Sequence, residues 1–501
     1  MSTPANFNNP ASSSSSGFPN PLDMDPAQFR LLLSLLPKVP LITRVALLHV
    51  LHLSKPARYL DLRSELIVAV LRSYLMASKP RSITSSQKLA NRDNGVKGRI
   101  WVSTYASPAS SETDVRDAVV GTIQSLRTPG TPEINLRLPD LMPVEAEWTG
   151  YRAGATPESK PPAIGEKEKF DELMKEVTNP LTVLYLHGGA YYLCDPATHR
   201  PATKKIAKLT GGRLYSVRYR LAPQHPFPAA LMDALVSYLT LLYPPPDAYH
   251  EAVEPKHIVV AGDSAGGNLS LALLQLLLEL RRQKRKIQWL GEEREIPLPS
   301  GLALNSPWMD ITQSSPSWES NWEFDYLPKA SVYAEYNPPP CEAWPAKPPR
   351  ASIYADDDLI AHPLVTLVMN KSWAGSPPVF ICTGWELLAD EDRYMARKLR
   401  EDGVPVVFEE YEGMPHCFAL ILAKIPNAKR CFEGWTGFMK TVTGNPENIS
   451  SKATTVKAKS LEEVPREFVS LSMLSDEDIQ KRVLQKKEES LNSTPEAVPK
   501  L

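Results

Sequence analysis

The stretch His257–Gly267 reads HIVVAGDSAGG. It opens as an apolar, β-rich run, turns through Gly262-Asp263-Ser264-Ala265-Gly266, and continues into a leucine-rich segment that runs to Arg282. A strand, a Gly-x-Ser-x-Gly turn and a helix in that order put a serine on a strained corner at the top of a sheet, its hydroxyl exposed above a helix N-terminus. The glycines are required because strand and helix approach too closely at the corner for larger side chains. The five-residue pattern alone recurs by chance. Its flanks make Ser264 a candidate nucleophile.

A serine hydroxyl is a poor nucleophile near neutral pH. It needs a base, an acid to orient that base, and donors for the developing oxyanion. The candidate base is His416, in Gly413-Met414-Pro415-His416-Cys417-Phe418, just past the strand-like run Val404–Tyr411. His362 also follows Ser264, but it precedes a proline in an irregular connection. The acid is expected between serine and histidine in chain order. After the strand-like PVFICT (378–383) comes Gly384-Trp385-Glu386-Leu387-Leu388-Ala389-Asp390-Glu391-Asp392. Glu386 lies just past the strand end. Asp390, a helical turn later, is the alternative acid, and it could also cap the next helix. Glu391 and Asp392 read as a solvated acidic run. Oxyanion donors are expected from Gly188, Gly189 and Ala190, which follow the apolar run Leu181–Leu186, and from the backbone N–H of Ala265.

The chain has 501 residues, with 56 basic and 57 acidic side chains, which leaves no electrostatic case for binding nucleic acid. Strand-like runs alternate with helical ones, so the fold class is α/β, with a mainly parallel sheet flanked by helices on both faces. The five cysteines are scattered, without metal-ligand spacing, and read as reduced thiols in an intracellular compartment. No metal or organic cofactor is called for. The expected organisation is a disordered N-terminus (1–23), an N-terminal helical cap (24–96) that ends in a polar loop (79–96), a catalytic domain (97–443) with an insertion at about 314–363, and a polar linker with a charged tail (444–501). Residues 1–17 lack the apolar core of a secretory signal. The apolar segment Phe29–Leu53 is interrupted by Pro37, Lys38, Pro40 and Arg44. It reads as two short helices packed on the catalytic domain, with a peripheral membrane anchor and a true membrane span as the other readings. The location expected is cytoplasmic, with or without that contact.

These pieces resemble the hormone-sensitive-lipase-like branch of the α/β-hydrolases. HGG at 187–189 lies upstream of GDSAGG at 262–267. Between them, YRLAPQHPFPAA (219–230) is similar to a characteristic segment of that branch, with Gln224 where glutamate is usual, and NSPWMD (305–310) is similar to its SPW-x-D stretch. The branch usually has a third glycine where Ala190 stands, and an aspartate where Glu386 stands. The long N-terminal segment suggests a fungal-type member. The resemblance implies an α/β-hydrolase fold with a helical cap drawn from the N-terminal region and from an insertion after the sixth strand. It also implies a serine carboxylesterase or lipase-like hydrolase acting on hydrophobic carboxylic esters. Tyr191, Tyr192 and Trp308, with Trp318 and Trp322, are candidate pocket residues, although each aromatic could equally be core. The rival functions are an acyltransferase using the same serine and a non-catalytic binding protein on a hydrolase fold.

Overall fold

The computed structural model describes residues 33–76, 79–109, 112–127, 133–134, 136–334 and 337–493. The expected disorder at 1–23 lies outside the described residues.

Apolar runs buried on both faces build the centre of one ten-stranded sheet. In chain order its strands are β1 (Ile100–Ser107), β2 (Val144–Tyr151), β3 (Thr182–Leu186), β4 (Arg213–Val217), β5 (Ile258–Asp263), β6 (Gly301–Asn305), β7 (Val379–Gly384), β8 (Val406–Tyr411), β9 (Lys452–Val456) and β10 (Glu463–Arg466). Their spatial order is β1-β2-β4-β3-β5-β6-β7-β8-β9-β10. Strands β3 to β9 run parallel, and β1, β2 and β10 are antiparallel to their neighbours. Every residue of β3, β5, β6, β7 and β8 is buried. Two apolar clusters cover the faces. One packs around Trp148, Leu235 and Leu273, the other around Tyr185, Phe380 and Trp435. All of this puts the parallel strands' carboxyl ends, with the loops that follow them, along one edge.

Three expectations change. Residues 444–501 are not merely linker and tail. Lys452–Val456 pairs in parallel with β8, and Glu463–Arg466 closes the edge. The threonines of Lys452–Val456 suit a strand, but with polar side chains and flanking lysines the segment shows no apolar run, although its last four residues are buried. The charged helix Asp476–Ser493 docks by burying Ile479 and Val483. Residues 79–96, expected as polar loop, contain a helix, Ile83–Ala90, whose N-terminus Ser82 caps by accepting from the Ser85 N–H.

The third change is at the N-terminus. Pro37 and Pro40 fall in first-turn positions, where proline is tolerated, so they do not break the apolar segment. Leu33–Val50 is helical throughout. By length and composition alone it could cross a membrane, and none of it is buried. Its regular part, α1 (Val39–Val50), packs against α2 (Leu62–Leu75), not against the sheet. Helix α2 in turn meets the 314–363 insertion, where the Arg72 guanidinium donates to the carbonyls of Glu323 and Asp325.

Candidate active site

The corner after β5 has the geometry its sequence demands. Ser264 sits at φ 52°, ψ −122°, and the following helix α3 (Ala265–Arg282) starts immediately. A Cβ on Gly262 or Gly266 would overlap the carbonyl of Leu186 on the neighbouring strand, so no larger residue fits. Such backbone strain persists only where its surroundings over-determine it.

The structure brings Ser264, His416 and Glu386 together from the ends of three strands. His416 Nε2 lies 2.9 Å from Ser264 Oγ. On the ring's other side, Nδ1 meets Glu386 Oε2 in a short contact. Glu386 is fully buried, and its Oε1 accepts from Thr383 Oγ1 at 2.6 Å and from the Gly384 N–H at 3.2 Å. Burial works against charge on both partners. Their mutual attraction outweighs it, holding His416 above its ordinary value and Glu386 below its own. The carboxylates of Asp325 and Asp263 add to the rise at His416.

Asp390, the alternative acid, is not at the imidazole. Its carboxylate accepts from the Ser317 N–H at 2.9 Å and from Arg393 at 3.0 Å. Glu391 and Asp392, expected in solvent, are fully buried. Glu391 accepts the N–H groups of Met309 and Asp310 and the indole of Trp318 at 2.8, 3.1 and 3.0 Å, thereby fixing the SPW-x-D segment. His362 is also structural, with Nε2 3.0 Å from the Ile123 carbonyl.

The expected oxyanion donors divide. Gly188 donates its N–H to Asp263 Oδ1 at 3.2 Å, so it is already engaged. Gly189, Ala190 and Ala265 have no recorded acceptor for their N–H groups among the described residues, apart from those inside helices. Gly189 and Ala190 remain partly open to solvent. Asp263 also accepts from Tyr185 Oη at 2.6 Å and stands 3.3 Å from His199 Nε2. Burial raises its carboxyl, but His199 and Tyr185 more than reverse this. His187 is pushed down to about 3 by burial and by His199, which leaves it neutral.

Of the expected pocket aromatics, Tyr191 is core. It is fully buried, stacks on Tyr354 with centroids 3.6 Å apart, and donates to Asn268 Oδ1 at 2.6 Å. Tyr192 is half-buried just beyond the Gly188–Ala190 turn. Trp308 stays beside the serine, its N–H donating to the Ser264 carbonyl at 2.9 Å. Trp318 is anchored to Glu391, and Trp322 lies at the surface between the Arg72 and Lys329 cations. Sequence reasoning missed Asp325. Its buried carboxylate receives the N–H groups of both Leu387 and His416, at 2.8 and 3.3 Å. No periodicity marks it. Among the described residues, no group of three or more histidine, cysteine, aspartate or glutamate side chains is arranged to hold a metal.

Comparison with known proteins agrees with this architecture. The family model for the alpha/beta hydrolase fold matches residues 183–420. An acetyl-hydrolase of Streptomyces hygroscopicus is 29% identical over 264 residues, 52% of this chain and 76% of that protein. An esterase of Acinetobacter venetianus is 30% identical over 263 residues, 52% of this chain and 75% of that protein. Both are bacterial and lend no support to a fungal-type member. A solved structure of an esterase from the bacterial hormone-sensitive lipase family covers 67% of this chain and 100% of its own, at 24% identity and a TM-score of 0.44. The chain belongs to the α/β-hydrolases and is a carboxylic ester hydrolase.

Proposed function

We propose that the protein is a serine carboxylesterase or lipase-like hydrolase that cleaves hydrophobic carboxylic esters through an acyl-serine intermediate. Ser264 Oγ attacks the ester carbonyl. His416 Nε2 takes the proton and returns it to the leaving alcohol. Glu386 holds the imidazole in the tautomer that leaves Nε2 free to accept, and it stabilises the imidazolium. The N–H groups of Gly189, Ala190 and Ala265 receive the oxyanion, and removing one such donor typically costs about 3 kcal/mol of transition-state stabilisation. Water then attacks the acyl-enzyme with His416 again as base. The observation that carries this reading is the 2.9 Å contact between His416 Nε2 and Ser264 Oγ. The test is hydrolysis of p-nitrophenyl esters from acetate to palmitate by wild type and Ser264→Ala. Loss of turnover in the variant is expected, and wild-type turnover would overturn the mechanism. Adding a competing alcohol separates hydrolysis from acyl transfer through the products formed.

The N-terminal helices favour a second element of the proposal, peripheral contact with a membrane surface. Helix 33–50 leaves leucines and valines exposed, with Leu36 at 61% and Val50 at 65%. No acidic residue occurs between Pro26 and Leu60, whereas Lys38, Arg44, Lys55 and Arg58 do. An apolar face flanked by cations suits an anionic lipid surface. A cytoplasmic location is part of the same proposal, supported by five free cysteines. Co-sedimentation with phosphatidylserine vesicles tests the contact. Binding lost in Leu36→Glu/Val50→Glu is expected, and equal binding of the double variant would refute it.

A further inference from the structure

The insertion between β6 and β7 grips the loop that carries Glu386. Ser317 Oγ donates to the Leu387 carbonyl at 2.6 Å, and Asn321 Nδ2 donates to the Glu386 carbonyl at 3.0 Å. Asp325 goes further, because it touches two loops at once. Its Oδ2 accepts the Leu387 N–H at 2.8 Å, one residue past the acid. Its Oδ1 accepts the His416 N–H at 3.3 Å, and those of Tyr326 and Leu327 at 2.7 and 3.3 Å. Both oxygens therefore face only donors, an arrangement suited to a carboxylate and not to an amide, whose NH2 would meet an N–H.

Asp325 is itself held from outside the catalytic domain. Arg72 of α2 donates Nε to the Asp325 carbonyl at 2.7 Å and a terminal nitrogen to the Glu323 carbonyl at 3.0 Å. Beside them Lys55 pairs with Glu323 at 2.6 Å. Tyr59, between α1 and α2, packs edge-on against Phe324 and Trp385, with centroids 5.6 and 5.0 Å away. The N-terminal helices thus reach the residue next to Glu386.

We infer that Asp325 is a positioning residue that locks the Glu386 loop and the His416 loop in mutual register, and that Arg72 makes the N-terminal helices part of this brace. The inference rests on the serine mechanism proposed above. The charged groups facing His416 are Glu386, Asp325 and Asp263, and those facing Asp325 are His416, Glu386 and Arg72. Removing the charge of Asp325 therefore takes one of three carboxylates from around the imidazole.

The test is kcat, KM and the pH profile of p-nitrophenyl butyrate hydrolysis by the full chain, in wild type, Ser264→Ala, Asp325→Asn, Asp325→Glu and Arg72→Met. Asp325→Asn is expected to lower kcat by about 10- to 100-fold with KM held within about twofold, the size of loss that misplacement of reacting groups brings. Its acid limb should move to lower pH, because the imidazole loses a stabilising negative charge. Asp325→Glu keeps the charge, so its limb should stay while kcat falls. Arg72→Met should lower kcat about 3- to 10-fold with the limb unmoved. Wild-type kcat and an unmoved limb in Asp325→Asn, with Ser264→Ala inactive, would overturn this inference alone. Wild-type turnover in Ser264→Ala would overturn the mechanism beneath it. Should Asp325→Asn fail to fold, wild-type kcat in Arg72→Met would overturn the inference.

Discussion

His416 Nδ1 meets Glu386, and Asp390, four residues further on, points to the backbone of Ser317 instead. Both acids follow the same strand end, Glu386 in the loop and Asp390 in the first turn of the helix Ala389–Glu401, yet only Glu386 reaches the imidazole. Glu386→Ala is therefore expected to cut kcat by about 10²- to 10⁴-fold, as loss of the orienting acid does in other serine hydrolases. Asp390→Ala should stay within about threefold, since it loses one loop contact and a half-exposed ion pair. Steady-state kinetics on one p-nitrophenyl ester compares them. A larger loss in Asp390→Ala would reverse the assignment.

The pH dependence has a definite sign. His416 must be neutral to accept the serine proton, and Glu386 holds its pKa above the ordinary value of about 6.5, despite burial. The acid limb of kcat/KM should thus have its midpoint above that value, with activity rising as pH rises through it. In Glu386→Gln the attraction is gone and burial remains, so the limb should move down. A midpoint unchanged between the two proteins would deny Glu386 its electrostatic role.

Asp263 fastens the Gly188 turn to the end of β5 through the Gly188 N–H. Asp263→Ala frees that turn and leaves His199 without its partner. The expected result is a fall in kcat of about 10- to 100-fold with KM little changed, somewhat less than direct loss of an oxyanion donor. Burst kinetics would place the loss in the acylation step. A KM effect alone would show that the turn serves ground-state binding.

Ala190 has φ 52°, a conformation in which an L-residue costs about 1 kcal/mol and glycine almost nothing. Ala190→Gly keeps the N–H and removes the methyl. Thermal denaturation should show no loss of Tm, and turnover of esters with branched acyl groups should rise relative to acetate. A lower Tm would mean that the methyl makes packing contacts worth more than the strain it carries.

The strands nearest the serine were legible as β-rich runs, continuous and apolar where both faces are buried, as in Leu181–Leu186, and closed by Glu409 and Glu410 in Val404–Tyr411. The positions of Ser264, His416 and Glu386 at the ends of such runs followed from that. What escaped were groups whose burial depends on distant partners. Glu391 looks solvated in an acidic run, but three donors from the SPW-x-D segment and Trp318 draw it inside. Lys452–Val456 is too short and too polar to announce a strand until β8 offers it an edge. Asp325 sits in a proline- and aromatic-rich stretch without period, so nothing local distinguishes it. Tyr191 failed in the opposite way. Beside the Gly188–Ala190 turn it reads as pocket, yet Tyr354 and Asn268 claim both its ring and its hydroxyl.

The position of β9 also bears on how the chain is made. During synthesis β8 emerges before the segment that will cover its edge, and residues 412–451 separate the two strands. Until then a strand that is buried in the finished fold presents unpaired N–H and C=O groups, a template for pairing with another nascent chain. Translation stalled within that interval, or early release there, would leave the triad sequence complete but the molecule prone to associate. Strands β9 and β10 thus cover an edge that would otherwise be open to association.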